Sequence, residues 1–323
     1  MTKCYDVTAL GEVLIDFTEN GSSAQGNPMY EANPGGAPCN VLAMLQKFGH
    51  KTAFLGKVGE DIFGRRLENV LKEAGIDTVG LCMDPAVRTT LAFVEKKADG
   101  DRDFSFYRNP GADMMLRTEE LQEQILKDTR IFHFGTLSMT DEPVRSATRH
   151  AIETAKANGA LLSFDPNIRE PLWQSMEEAK RQTAYGMEVC DVLKISDNEI
   201  WWFTGEEDFD RGVDKLWREY HIPLILLSMG SGGSRAYCGS RRAEQPAFLQ
   251  EGTIETTGAG DTFGACCLHY ILEHGVAGLG TPELEEMLRF ANAAASIVTT
   301  RRGALRVMPE PEEIQALLAE KSI

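Results

Sequence analysis

The chain has 323 residues and 42% hydrophobic content, enough for one large domain or two average ones with a packed core. Its 33 basic and 49 acidic residues give a formal net charge of −16, which repels nucleic-acid phosphates and anionic lipid, so neither nucleic acid nor membrane is an expected partner. A small phosphorylated ligand stays admissible, because backbone N–H groups at a helix N-terminus hold phosphate without net positive charge. The seven cysteines show no CxxC pair and no histidine spaced for zinc, which reads as reduced thiols used as small hydrophobes. The first residues lack the basic and apolar regions of a signal peptide and no apolar run reaches a membrane span, so a cytoplasmic protein is expected.

In chain order, residues 13–17 read as a strand. Residues 38–48 read as a helix with Val41, Met44, Leu45 and Phe48 on one face, ending at Gly49 before a strand at 52–55. Residues 91–95 and 103–107 read as strands around a charged, Gly-containing turn at 96–102. From about residue 130 short apolar runs alternate with amphipathic stretches: strand 131–137, helix 143–158, strand 160–164, helix 176–190, strands 192–195 and 224–228, then helices from Thr262 and Leu284. The expected fold class is therefore α/β, with a mainly parallel central sheet covered on both faces and a small strand-built lid. The expected division gives residues 1–12, 34–86 and 112–323 to the body, and residues 13–33 and 87–111 to the lid.

The most informative segment is Glu255-Thr256-Thr257-Gly258-Ala259-Gly260-Asp261-Thr262-Phe263, followed by a helix whose apolar positions 263, 267, 270 and 271 share a face. Small residues at a helix N-terminus let free N–H groups and the positive end of the dipole stabilise charge on a transferred phosphoryl group. Asp261, held there, is placed to accept the proton of an attacking hydroxyl. Alone, the segment also fits a tight turn with an aspartate capping a helix. A second Gly-rich run, Leu227-Ser228-Met229-Gly230-Ser231-Gly232-Gly233, follows a buried strand and suits ATP phosphates or ribose, or else an ordinary turn. It has neither the ending of a P-loop nor the spacing of a dinucleotide fingerprint. His133, between two phenylalanines of a buried strand, reads as a hydrogen-bonded core residue, and Cys266 and Cys267 as packing.

Together, Gly35-Gly36-Ala37-Pro38-Cys39-Asn40, the run Gly56-Lys57-Val58-Gly59-Glu60-Asp61-Ile62-Phe63-Gly64, and Thr256-Thr257-Gly258-Ala259-Gly260-Asp261 resemble the two signatures of the ribokinase-like (PfkB-type) carbohydrate kinases. The likeness spans nearly the whole chain. Within that family the sequence looks most like fructokinases, through Gly11-Glu12-Val13-Leu14-Ile15-Asp16-Phe17, Phe106-Tyr107-Arg108-Asn109-Pro110-Gly111-Ala112-Asp113 and Asp165-Pro166-Asn167-Ile168-Arg169-Glu170-Pro171-Leu172-Trp173. 2-Keto-3-deoxygluconate kinases carry similar aromatic-Arg and Asn-x-Arg segments.

The resemblance implies a three-layer ribokinase-like sandwich and phosphorylation of a sugar hydroxyl by ATP and Mg²⁺, most simply D-fructose to fructose 6-phosphate. Asp261 would be the base, and Gly258, Ala259 and Gly260 the anion hole. Asp16, Gly35, Gly36 and Asn40 would bind sugar hydroxyls, with Phe106 and Arg108 closing over the sugar and Asn167 and Arg169 near the phosphoryl path. Lys194, Ser228, Gly230, Gly233 and Asn292 would hold the nucleotide, and Glu199 the magnesium through water. Glu255, Thr257 and Gly303 would offer a site for K⁺, with Glu255 where the family has an aspartate. A homodimer through the lid's exposed face is also implied. Two rivals remain: a 2-keto-3-deoxygluconate kinase, with Arg108 or Arg169 meeting the substrate carboxylate, and a sugar-binding regulator without turnover.

Overall fold

The computed structural model describes residues 3–96 and 102–320, so most of the turn expected at 96–102 lies outside the described residues. The chain runs β1 (Tyr5–Leu10), β2 (Leu14–Ser22), β3 (Pro28–Gly35), α1 (Ala37–Lys47), β4 (Thr52–Gly59), α2 (Ile62–Glu73), β5 (Asp77–Asp84), β6 (Leu91–Lys96) and β7 (Arg102–Tyr107). It continues with α3 (Glu123–Lys127), β8 (Thr129–Gly135), α4 (Val144–Ala157), β9 (Leu161–Asp165), α5 (Met176–Val189), β10 (Val192–Ser196), α6 (Asp197–Thr204), α7 (Phe209–Tyr220) and β11 (Leu224–Ser228). The last elements are β12 (Ser234–Cys238), β13 (Arg241–Gln245), α8 (Ala259–His274), α9 (Thr281–Val298) and α10 (Pro311–Glu320).

Nine strands form one sheet in the order β13-β12-β11-β10-β9-β8-β1-β4-β5, with antiparallel pairing only along β11, β12 and β13. Strands covered on both faces need near-continuous apolar runs, and β4 is buried along its whole length. Two apolar clusters sandwich the sheet. One gathers α1, α2, α8 and α9 with Phe54 and Val58 of β4; the other gathers α4, α5, α6 and α7 with Phe132 and Phe134 of β8. The fold is the expected three-layer α/β sandwich. Strand order reverses between β1 and β8, and ligands of open α/β sheets bind beyond the strand C-termini at such a switch point.

A separate four-stranded sheet, β3-β2-β6-β7, stands over those ends. Its root is fixed by carboxylates. Asp61 caps α2 through the Phe63 and Gly64 amides, and also accepts the Thr89 N–H and hydroxyl just before β6. Asp113 binds Arg108 Nε at 2.7 Å just after β7 and also accepts the Thr90 hydroxyl.

Strands β1, β3, β5, β12 and β13 and helices α2, α3, α7 and α10 were not among the elements expected from sequence. β3 and β5 are sheet edges, β3 exposed over its first half and β5 mostly half-buried, and β3 contains Pro28 and Pro34, which an edge tolerates because it need not donate at every position. Such strands lack the apolar periodicity that marks buried ones.

Candidate active site

The GAGD segment begins α8. Gly258 is its N-cap with φ 79°, a left-handed conformation that favours glycine, and a side chain there would press on Ala304. The Ala259 amide donates to Thr256 O at 3.2 Å, whereas the Gly260 and Asp261 amides find no backbone acceptor among the described residues. The Ala259 N–H is thus engaged, which leaves Gly260 and Asp261 as the first-turn N–H groups without a backbone acceptor among the described residues. Gly260 also leaves room for Lys194, whose Nζ would lie 3.1 Å from a β-carbon at 260.

Asp261 and the sugar-end residues line one cleft of about 760 Å³. It gathers Glu12 and Asp16 from the segments around β1 and β2, Gly36 and Asn40 at the start of α1, Phe106 from β7, and Asn167 and Arg169 from the turn after β9. Lys194, Glu199, Glu255, Thr257, Gly258 and Gly260 complete the expected residues found there. Asn40 Nδ2 donates to Asp261 Oδ2 at 2.7 Å. Desolvation raises the Asp261 pKa from its ordinary value, opposed by the Asn40 hydrogen bond and the charges of Lys194 and Arg169. Desolvation likewise pushes Asp16 up to about 7 against the pull of Arg169, with Glu255 and Asp261 adding to the rise.

Several residues are placed by backbone demands. Gly36, at φ 122°, lets the chain turn from β3 into α1, where a side chain would strike the Glu12 carbonyl. A side chain at Gly35 would run into Asp16 Oδ2, so this glycine makes room for the carboxylate. Asn167 has φ 44°, a left-handed conformation that asparagine tolerates better than most residues.

Arg108 is placed differently from the other expected sugar-end residues and is not among those lining the cleft. Rather than closing over the cleft, its guanidinium is buried, donating to Asp113, to Thr140 Oγ1 at 3.1 Å and to Leu137 O at 2.9 Å. A planar donor fork bound on three sides has little left for a sugar, so Arg108 holds the lid root. Phe106 does reach the cleft.

A second cavity of about 440 Å³ contains Ser228, Gly230, Gly233 and Asn292, among apolar walls that include Ala247, Phe263 and Ala295. The Asn292 side chain accepts from Ser234 Oγ at 2.9 Å and donates to the Gln245 and Pro246 carbonyls at 3.1 and 3.0 Å, so both of its N–H donors are already engaged. The two cavities share Ser196, Thr253, Thr256 and Gly260. Lys194 lies on the larger cleft rather than in the smaller cavity, 3.0 Å from Asp165. Burial pulls its pKa down, but Asp165, Glu199 and Asp261 outweigh that and keep the ammonium charged.

Glu199 forms a capping box with Ser196: its Oε2 accepts the Ser196 N–H and hydroxyl, while Oε1 accepts the Ile168 N–H at 2.9 Å. Glu255 Oε1 accepts the Gly303 N–H at 2.8 Å, tying those two segments together.

Sequence reasoning passed over Glu12 and Asp165. Glu12 anchors the Ala37 amide at 2.9 Å, and burial pushes its carboxyl up to about 7. Asp165, beneath Lys194, has a buried Oδ1 without a partner among the described residues. Both stood in quoted motifs, and the signal that would have found them was an acidic residue at or just beyond the end of an apolar strand. His133, buried and 3.0 Å from Ser163 Oγ, is held down to about 4, first by burial and then by Lys194, and so is a neutral core residue. Cys266 and Cys267 are fully buried.

Two cavities that border one helix N-terminus, with a carboxylate next to their shared wall, suit an enzyme that holds two ligands. The family model for pfkB family carbohydrate kinase matches residues 5–311. The chain is 41% identical over 315 residues to probable fructokinase-4 of Arabidopsis thaliana, covering 97% of this chain and 96% of that one. Among solved structures, fructokinase with bound ATP from Xylella fastidiosa matches with a TM-score of 0.89 at 31% identity, covering 98% of this chain and 99% of that one. A double mutant of fructokinase from Vibrio cholerae O395, in a form with fructose, ADP and potassium ion bound, matches with a TM-score of 0.86 at 26% identity, covering 98% and 99%. The chain belongs to the pfkB family of carbohydrate kinases and has its ribokinase-like fold. Among the described residues no helix is long and apolar enough to cross a membrane.

Proposed function

We propose that this kinase transfers the γ-phosphoryl group of ATP to the primary 6-hydroxyl of D-fructose, with Asp261 as general base. The observation that carries the reading is the position of Asp261, one residue from the Gly260 wall shared by the two cavities and hydrogen-bonded to Asn40. The sugar lies in the larger cleft under Phe106, with Asp16 and Asn40 toward its hydroxyls. The nucleotide lies along Ser228, Gly230 and Gly233. Asp261 takes the hydroxyl proton as the oxygen attacks phosphorus, while the Gly260 and Asp261 amides, Lys194 and Arg169 stabilise the developing charge. Plant and bacterial fructokinases as relatives support the substrate. The burial of Arg108 removes one of the two cations that a keto-acid substrate would call on, which favours the neutral sugar.

Mg²⁺ would reside on the nucleotide phosphates and its own waters, with Glu199 holding those waters. This suits the donor set, since Glu199 brings a carboxylate to the cleft and magnesium needs few protein ligands. When bound, it neutralises phosphate charge. K⁺ at Glu255, Thr257 and Gly303, a homodimer through the lid face that exposes Tyr30 and Tyr107, and a cytoplasmic location belong to the same reading.

The test is ATP consumption with Mg²⁺ against fructose, 2-keto-3-deoxygluconate, ribose, tagatose and adenosine, each with and without K⁺. Fructose-dependent turnover that falls by about 10² to 10⁴ in Asp261→Asn is expected. Near-normal turnover in that variant would refute the base. Turnover only with the keto acid would replace the substrate, and saturable sugar binding without turnover would mark a regulator.

A further inference from the structure

Helices α1 and α8 pack against each other, and both direct their first turns at the cleft. Asn40 stands on the first turn of α1, its backbone N–H bonded to Gly36 O at 3.0 Å, and is only 3% exposed. Asp261 stands on the first turn of α8. The 2.7 Å Asn40 Nδ2 to Asp261 Oδ2 bond links the two helices at their cleft ends.

We propose that Asn40 is a positioning residue for the base: its amide N–H fixes Asp261 Oδ2 so that Oδ1 alone is left to receive the substrate proton. The inference rests on the reading of Asp261 as base and goes beyond a sugar-contact role for Asn40. A free carboxylate rotates about its Cβ–Cγ bond and offers either oxygen, whereas one anchored through Oδ2 keeps a single orientation. The neutral amide suits the task because it donates to the carboxylate without the strong pairing of a cationic partner, which would hold the base ionised but too weak to take a proton.

The other end of the same amide supports the assignment. Asn40 Oδ1 is buried and has no partner among the described residues, yet Asn40 lines the cleft. A buried carbonyl oxygen without a donor is costly, so a small shift of this side chain on substrate binding that gives Oδ1 a hydroxyl partner would be favoured. Substrate hydroxyl to Asn40 Oδ1, Asn40 N–H to Asp261 Oδ2, and Asp261 Oδ1 to the reacting hydroxyl then form one chain of hydrogen bonds, which couples sugar binding to alignment of the base.

Charged groups facing Asp261 are Lys194 from β10 and Arg169 from the turn after β9, with Asp16 of β2 and Asp165 of β9 on the acidic side. Since the Asn40 bond favours the ionised base, its loss moves the acidic limb of the rate profile to higher pH. The experiment measures kcat, KM and the pH dependence of kcat/KM for Asn40→Leu, Asn40→Asp and Asp261→Asn, with thermal melts and nucleotide binding to establish folding.

The expected result is a fall in kcat of about 10²-fold in both Asn40 variants, the size of effect that misplacement of a catalytic group produces. The acidic limb is expected to move upward in Asn40→Leu and further in Asn40→Asp, where a second carboxylate faces the base. If Asn40→Leu fails to fold, the isosteric Asn40→Asp carries the test. A rise in sugar KM with kcat and the acidic limb unmoved would overturn the proposal while leaving the base intact. Near-normal turnover of Asp261→Asn would instead remove the reading on which it rests.

Discussion

The carboxylates of this site were gathered at a cost that pH should reveal. Asp16 is held at about 7 when folded, by desolvation first, against about 4 in an unfolded chain. A carboxyl raised in this way favours the folded state fully below pH 4, and that contribution is lost as pH rises through 7. Asp16→Asn has no ionised form to bury. The melting temperature of Asp16→Asn minus that of the unmodified protein, measured without ligands, is therefore expected to increase between pH 5 and pH 8. A difference that stays flat across this range would show that Asp16 is ionised at little cost. His133 acts in the opposite sense: held at about 4 against about 6.5 unfolded, it contributes above pH 6.5 and loses that contribution as pH falls toward 4. Comparing the substituted with the unmodified chain cancels this background.

Among elements, the lid's attachment is the part whose chemistry differed most from expectation. Arg108 and Asp113 are buried with side chains 2% and 3% exposed, and the pair bridges the end of β7 to the body through Leu137 and Thr140. Removing the cation alone leaves Asp113 charged and buried. Arg108→Met is expected to lose about 3–5 kcal/mol in urea unfolding, much of which Arg108→Met with Asp113→Leu should recover. If the single substitution costs under about 1 kcal/mol, the pair is not the anchor described here. Sequence located Arg108 beside Phe106 but could not tell which of two neighbours faces the cleft and which the body. That depends on where strand β7 ends and the chain leaves the pleat.

For the whole molecule, the parallel core was legible because β8, β9, β10 and β11 are short, largely apolar runs and the intervening helices show a 3.6-residue period. The phosphate end was legible because Gly258, Gly260 and Asp261 lie together in sequence as well as in space. The sugar end draws on β1, β2, α1 and the turn after β9, and such assembly from distant segments is set by tertiary packing. For that reason Glu12 and Asp165 stayed hidden within motifs whose other members stood out. The same packing explains Asn292, whose amide proved to be held by β12, the last residue of β13 and Pro246 after it.

The wall that the two cavities share has a consequence for inhibition. Ser196, Thr253, Thr256 and Gly260 border both chambers, so a ligand in one and a ligand in the other lie on either side of a single short wall. A single molecule joining a sugar to a nucleoside through a short polyphosphate bridge can occupy both chambers at once. Its second half would then bind at an effective concentration of about millimolar or higher, since the first half is already seated. Such a bisubstrate compound is expected to bind at least about tenfold tighter than ATP or sugar alone by calorimetry and to compete with both. If its affinity were no better than that of the nucleotide half, the two chambers would not be open to each other when filled.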